Sequence, residues 1–198
     1  MEQKSKSGKL LKDYATVKTG YNIVRIKNVI NTYGHDDFLN DFNQENQISD
    51  QNSIKNFDLI PDNLQEHIVH TGDLVFEYQS ARTAIVQADN DGKIINQNFG
   101  KIIISSKQLD KKFLCFYLNE ASESKRQYYL ANQGMIKRIT SRVVESIRIP
   151  KLVKQVQENL GQAYLNSIRL ETLARRKSIL QRKLLKTKLQ NFLNNKYQ

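Results

Sequence analysis

The residues best equipped for chemistry are few and scattered. His67 and His70 form an H-x-x-H pair, followed closely by Asp73 and Glu77. Side chains of these types bind zinc, or bind magnesium beside a phosphodiester when two carboxylates converge. A zinc site needs further ligands, and the chain has one cysteine, three histidines and no Cys cluster to provide them. The histidines therefore read as strand-edge residues, while Asp73 and Glu77 stay as candidate nuclease carboxylates. Cys115 sits inside the apolar run FLCFYL, distant in sequence from every histidine, and reads as a buried structural thiol. The two prolines, Pro61 and Pro150, stand far apart, so no Asn-Pro-Pro-Tyr amino-methyltransferase motif exists. No glycine pair has P-loop spacing and no Gly-x-Gly-x-x-Gly occurs, which argues against either common nucleotide cradle.

With catalytic groups so sparse, charge carries more of the reading. The net charge is +11, and it is segregated. Residues 1–34 hold seven basic and two acidic groups (+5), 35–66 one and eight (−7), 67–91 one and four (−3), and 92–198 twenty-two and six (+16). Such segregation points to an extended anionic partner, with nucleic acid foremost. The asparagines and glutamines between Asn31 and Asn56 add a hydrogen-bonding surface of the kind that reads base edges, or a simple polar loop. A single cysteine permits no disulfide within a monomer, and the charged start MEQKSKSGK is no signal peptide, so a reducing, cytoplasmic setting without membrane contact is expected.

The elements that must position these groups divide in two. Up to Pro150 the pattern is mixed: a short element in KLLKDYATVKTG, a strand VRIKNVI at 24–30, two strands in HIVHTGDLVFEY joined near Gly72, and strand–turn–strand in AIVQADNDGKIINQ. A β-branched strand KIIIS follows, then a buried helix at FLCFYL, a polar broken stretch in ASESKRQYYLANQG, and a turn or helix plus strand in RVVESIRIP. From Lys151 to Leu193 there is no proline, a single glycine, Gly161, and an aliphatic residue every three to four positions. This is one long basic helix, roughly 60 Å at ~1.5 Å per residue, and its apolar side needs a partner. The expectation is an α+β chain, with a mixed α/β recognition domain over 1–150 and a helical dimerisation and spacer region over 151–198.

The order of these pieces resembles the specificity subunit (HsdS) of Type I restriction-modification systems. The resemblance is carried by KLLKDYATVKTG, TGDLVFEY, INQNFGKIII, FLCFYLNEAS, GMIKRITSRVVESIRIPKL and VKQVQENL leading into the helix, and it spans nearly the whole chain. The family's usual subunit has two target-recognition domains alternating with two helical regions; this sequence has one of each and so resembles half a subunit. It departs from the family at YQSARTA, where a glycine-bearing loop often stands. The resemblance implies a noncatalytic subunit that reads double-stranded DNA and binds methyltransferase and restriction subunits, to which S-adenosylmethionine and ATP belong.

In that frame, phosphate contacts are expected from Arg25, Lys27, Lys101, Lys137, Arg138 and Arg142, and base contacts from Tyr78, Gln79, Ser80, Arg82 and Thr83, with Asn96 and Asn98 in support. Helix pairing into a homodimer is expected through Val153, Val156, Leu160, Ile168, Leu173, Leu180, Leu184 and Leu189, in a heptad register that drifts. Such a dimer would read an interrupted palindrome. The cluster Arg175, Arg176, Lys177, Arg182, Lys183, Lys186 and Lys188 suits either spacer DNA or a docked methyltransferase. Three other readings stand beside this one: a dimeric DNA-binding regulator, a metal-dependent nuclease using Asp73 and Glu77, and a coiled-coil adaptor for acidic proteins.

Overall fold

The computed structural model describes residues 8–22, 31–45, 62–131 and 139–196. Thirteen helices and strands organise these residues, in the order β1 (Lys9–Leu10), β2 (Ala15–Thr19), β3 (Thr32–Tyr33), α1 (His35–Phe42), β4 (Leu74–Glu77), β5 (Arg82–Ile85), β6 (Ile94–Ile95), β7 (Phe99–Ile104), α2 (Lys111–Glu120), α3 (Ser122–Ala131), α4 (Ser141–Glu145), β8 (Arg148–Ile149) and α5 (Lys154–Lys196). The central antiparallel sheet has the order β2-β7-β4-β5, with small pairs β1-β8 and β3-β6 beside it. The strand expected at 24–30 lies outside the described residues.

Alternation along the strands divides the core between the two sheet faces. Leu74 and Phe76 of β4, with Val17 and Ile102, pack against Phe113, Leu114 and Tyr117 of α2. Val75 of the same strand faces the other way and joins Ala84, Phe99, Tyr33, Ile95 and Phe38 of α1. Both edges of the sheet are closed by side chains. Asn119 of α2 accepts from Thr83 N and donates to Thr83 O, both at 2.8 Å, so its amide acts as one further strand residue along β5. On the opposite edge, Val17 N of β2 donates to Glu145 Oε1 at 2.8 Å. Cys115 is buried, its thiol pushed up to about 12 by desolvation, in keeping with a structural role.

One local expectation is corrected. HIVHTGDLVFEY does not form two strands: Asp62–His67 is a 3-10 turn and Ile68 makes a single bridge to Ile94, so only Leu74–Glu77 is a strand. Leu64, Ile68 and Ile94 form a separate small cluster. Burying these three takes the chain away from the sheet.

The long helix is bolted to the globe over nearly the first half of its length. Gln157 is buried; its Oε1 accepts from Asp110 N, and its Nε2 donates to Gln108 O and Leu152 O, all at 2.9 Å. Asp110 in turn caps α2 by accepting from Phe113 N. One turn later Gly161 lies directly on the start of α2, where any Cβ would overlap the backbone of Lys112 and Phe113. Farther along, the Tyr164 hydroxyl accepts from Asn119 Nδ2 at 3.0 Å, and Thr172 Oγ1 donates to Asn43 O at 2.7 Å. From Leu173 to Asn194 every residue is exposed.

Gly161 provides a test whose sign is informative. In an exposed helix Gly→Ala stabilises by about 1 kcal/mol. Here Gly161→Ala is expected to destabilise by roughly 1–3 kcal/mol, because backbone cannot move aside for the added methyl. Urea unfolding measures the difference, and a gain in stability would show that α5 is not seated on α2 at this point.

Candidate nucleic-acid interface

The β4–β5 hairpin holds most of the residues expected to touch bases, and its geometry sorts them. Glu77 pairs with both Arg82 and Phe99 at one end of the sheet. The connecting residues Tyr78–Ala81 form a tight turn closed by Ala81 in the left-handed region (φ 57°), a conformation that a non-glycine residue adopts at some cost. This turn sets which side chains point outward.

Tyr78 points inward. It is 6% exposed, its hydroxyl lies 2.9 Å from Thr19 Oγ1, and its ring covers Gly100, where any Cβ would overlap the hydroxyl. Thr83 is fully buried opposite Phe76. Neither side chain is available to DNA, so the expectation of base contacts from these two is corrected. Lys101 is corrected as well: its ammonium donates to Ile68 O at 2.9 Å and pairs with Asp73 at 2.6 Å, holding the segment before β4 against the sheet. Arg142 is exposed in the first turn of α4, a helix that packs on β2. Arg25, Lys27, Lys137 and Arg138 lie outside the described residues.

What remains together is Gln79, Ser80, Arg82, Asn96 and Asn98. Gln79 and Ser80 are exposed at the hairpin tip. Arg82 is exposed at the start of β5, its guanidinium 5.0 Å over the ring of Phe42, a cation–π contact that fixes the plane of the fork. The turn before β7 packs beside the hairpin, Tyr78 N donating to Asn98 O at 3.0 Å. Asn96 is used within that turn: its Oδ1 accepts from Asn98 N at 2.8 Å and its Nδ2 donates to Tyr33 O at 3.3 Å. Asn98 keeps an exposed side chain.

Two supports were not legible in the sequence. Glu77 is buried; one carboxylate oxygen accepts from Ser80 Oγ at 2.5 Å and the other lies 2.6 Å from His35 Nδ1, so the first residue of α1 braces the hairpin across 42 positions. Asp41, fully buried at the far end of α1, accepts from Tyr33 Oη at 2.7 Å and from Gln87 N and Asn90 Nδ2 at 2.9 Å. Asp73 and Glu77 stand at opposite ends of this strand, roughly 13 Å apart at ~3.3 Å per residue, one paired with Lys101 and the other with His35 and Ser80. They do not converge on a common ion. No group of three or more potential metal ligands occurs among the described residues, and none of their helices is long and apolar enough to cross a membrane.

The helix brings its charge close to Arg82. Gly161 meets the start of α2, Tyr164 meets Asn119 near its end, and Thr172 meets Asn43, next to the Phe42 that carries Arg82. α5 therefore runs alongside α2 and leaves the globe beside Asn43, the neighbour of the Phe42 ring that lies under Arg82. Its exposed shaft, with Arg175, Arg176, Lys177, Arg182, Lys183, Lys186 and Lys188, extends roughly 33 Å beyond at ~1.5 Å per residue.

No protein-family model matches the sequence, and no curated protein matches it by sequence. Among solved structures, the HsdS subunit from Thermoanaerobacter tengcongensis matches with a TM-score of 0.50 at 14% identity, covering 89% of this chain and 41% of that one. A chain from a structure of complex assembly and conformational transition of the type I R-M system matches with a TM-score of 0.57 at 14% identity, covering 95% of this chain and 45% of that one. The fold is that of an S subunit, and this chain spans less than half the length of either match.

Burial pushes the Asp41 carboxyl from its ordinary 3.8 up to about 6. Between these values the folded state binds more protons than the unfolded chain, so stability is expected to fall as pH rises from about 4 through 6, by roughly 3 kcal/mol at most. Urea titrations at several pH values measure this slope. Asp41→Asn is expected to flatten it, and an unchanged slope in the variant would assign the dependence to other groups.

Proposed function

We propose that this chain is a noncatalytic DNA-recognition subunit of a Type I restriction-modification system. The observation that carries the reading is convergence: on an S-subunit fold, the hairpin residues Gln79, Ser80 and Arg82 and the Asn98 turn lie at one end of the central sheet, and the basic shaft of α5 starts just past Thr172, whose partner Asn43 adjoins the Phe42 under Arg82. Arg82, with its guanidinium plane set by Phe42, suits bidentate contact with guanine, and Gln79 suits adenine. Arg175, Arg176 and Lys177, the first cations beyond the globe, suit the adjacent phosphates.

The proposed active form is a dimer. Beyond Thr172 the helix exposes two apolar stripes. Leu173, Leu180 and Leu184 line one groove, and Leu185, Leu189 and Phe192 recur at i, i+4 and i+7 on another side. This division accounts for the drifting register. Val153, Val156 and Leu160 are exposed along the proximal part, whereas Ile168 falls half-buried on the Gly161–Tyr164–Thr172 stripe that meets the globe. Two copies joined through their shafts would set a recognition domain at each end and read an interrupted palindrome. In this reading the methyltransferase and restriction subunits bring S-adenosylmethionine and ATP, and the assembly acts in the cytoplasm.

Co-expression with the methyltransferase of the same system, followed by methylation-sensitive sequencing, is expected to reveal a methylated two-part site; no complex and no modification would refute the reading. Arg82→Ala and Gln79→Ala are each expected to weaken specific-site binding by roughly 1–3 kcal/mol while leaving binding to unrelated DNA nearly unchanged. Leu180→Asp with Leu184→Asp is expected to yield monomers in sedimentation equilibrium where the parent chain is dimeric.

A further inference from the structure

A cleft of about 540 Å³ opens at the root of α5, on the side of the molecule that the recognition surface does not use. Four exposed lysines from three separate stretches rim it: Lys9 on β1, Lys107 after β7, and Lys151 and Lys154 at the start of α5. Lys154 Nζ donates to Lys107 O at 3.1 Å, tying two sides of the rim together. Leu109, Ile149, Pro150 and Leu152 give the floor an apolar patch, with Tyr14, Gln108 and Gln157 beside it. No acidic residue lines the cleft, and none of the four lysines has a carboxylate partner among the described residues. Four like charges around a hollow with an apolar patch repel one another, and an anion that also carries apolar groups relieves both conditions at once.

We infer that this cleft docks a carboxylate-bearing segment of a partner protein, with apolar side chains of that segment on the floor and its carboxylates on the lysine rim. Position and chemistry favour protein over DNA. Tyr14 and Lys107–Leu109 follow the Ala15/Ile104 end of the β2–β7 pair, whereas the hairpin and the Asn98 turn lie at the Thr19/Gly100 end. The two surfaces are thus separated by the length of β7, roughly 17 Å at ~3.4 Å per residue. A phosphate rail has no use for the aliphatic floor, while an acidic amphipathic segment uses both parts. The Ile147–Leu152 stretch, which ends the globe, contributes Ile149, Pro150, Lys151 and Leu152 to the lining, so the connection between domain and helix is itself part of the surface. The identity of the partner as the methyltransferase rests on the function proposed above; the cleft and the chemistry of its occupant do not.

The test uses the full chain, a short fluorescein-labelled peptide of alternating glutamate and leucine, and a short DNA duplex. The peptide is expected to bind in fluorescence anisotropy, to resist displacement by the duplex, and to lose at least about tenfold in affinity in Lys9→Glu/Lys107→Glu/Lys151→Glu. Lys9→Arg/Lys107→Arg/Lys151→Arg, which keeps the charge, is expected to retain binding. Absence of peptide binding, equal binding by the glutamate variant with its fold intact by circular dichroism, or parallel loss of duplex binding with displacement of the peptide would each overturn the inference, the last in favour of nucleic acid. If the peptide behaves as expected but the purified methyltransferase does not bind, the cleft stands and the assignment to a restriction-modification system falls.

Discussion

The structure depends on how closely α5 can approach α2. Gly161 permits backbone contact at the start of α2, and one turn earlier Gln157 satisfies the groups that such a contact would otherwise strand: the N–H of Asp110 and the carbonyls of Gln108 and Leu152. A buried glutamine is costly unless its amide is bonded on both sides, and here it is. With the helix fixed at these two points, its azimuth is fixed too, and Tyr164 and Thr172 fall where they reach Asn119 and Asn43. A larger residue at 161 would lift the helix and loosen every later contact.

Asn119 links this helix contact to the β4–β5 hairpin. Its amide is shared between the backbone of Thr83 and the hydroxyl of Tyr164, so the edge strand that begins with Arg82 is tied to the helix that carries the basic shaft. The other face of the hairpin is braced by Glu77 against His35 and Ser80, and α1 is anchored in turn by Asp41. The exposed residues at the hairpin tip stand on buried polar pairs, which are directional where apolar packing is not.

Much of this architecture was legible from periodicity. FLCFYL behind Asp110, the β-branched KIIIS strand and the long helix follow the spacing that their apolar residues dictate. The S-subunit fold was legible from the order of the motifs, and Gln157 of VKQVQENL has a physical role as the bolt between helix and globe. What stayed hidden were facts of phase and distance. Whether Tyr78 and Thr83 point in or out depends on the Ala81 turn, which a non-glycine residue does not advertise. Lys101 looked like a free cation until folding placed it beside Asp73, and no local pattern announces a partner for Glu77 as far away as His35. Asp62–His67 adopts a 3-10 turn because Leu64 and Ile68 find a cluster of their own, a tertiary preference stronger than strand alternation.

The exposure of every residue from Leu173 to Asn194 has a consequence for the life of an isolated copy. An exposed helical segment draws little of its order from packing, so its hydrogen bonds open at smaller cost than those of the part seated on α2. In the proposed dimer the same residues would be covered and that cost raised. Turnover would then fall first on copies without a partner, and the amount of unassembled protein would be held down by the mechanical state of one helix.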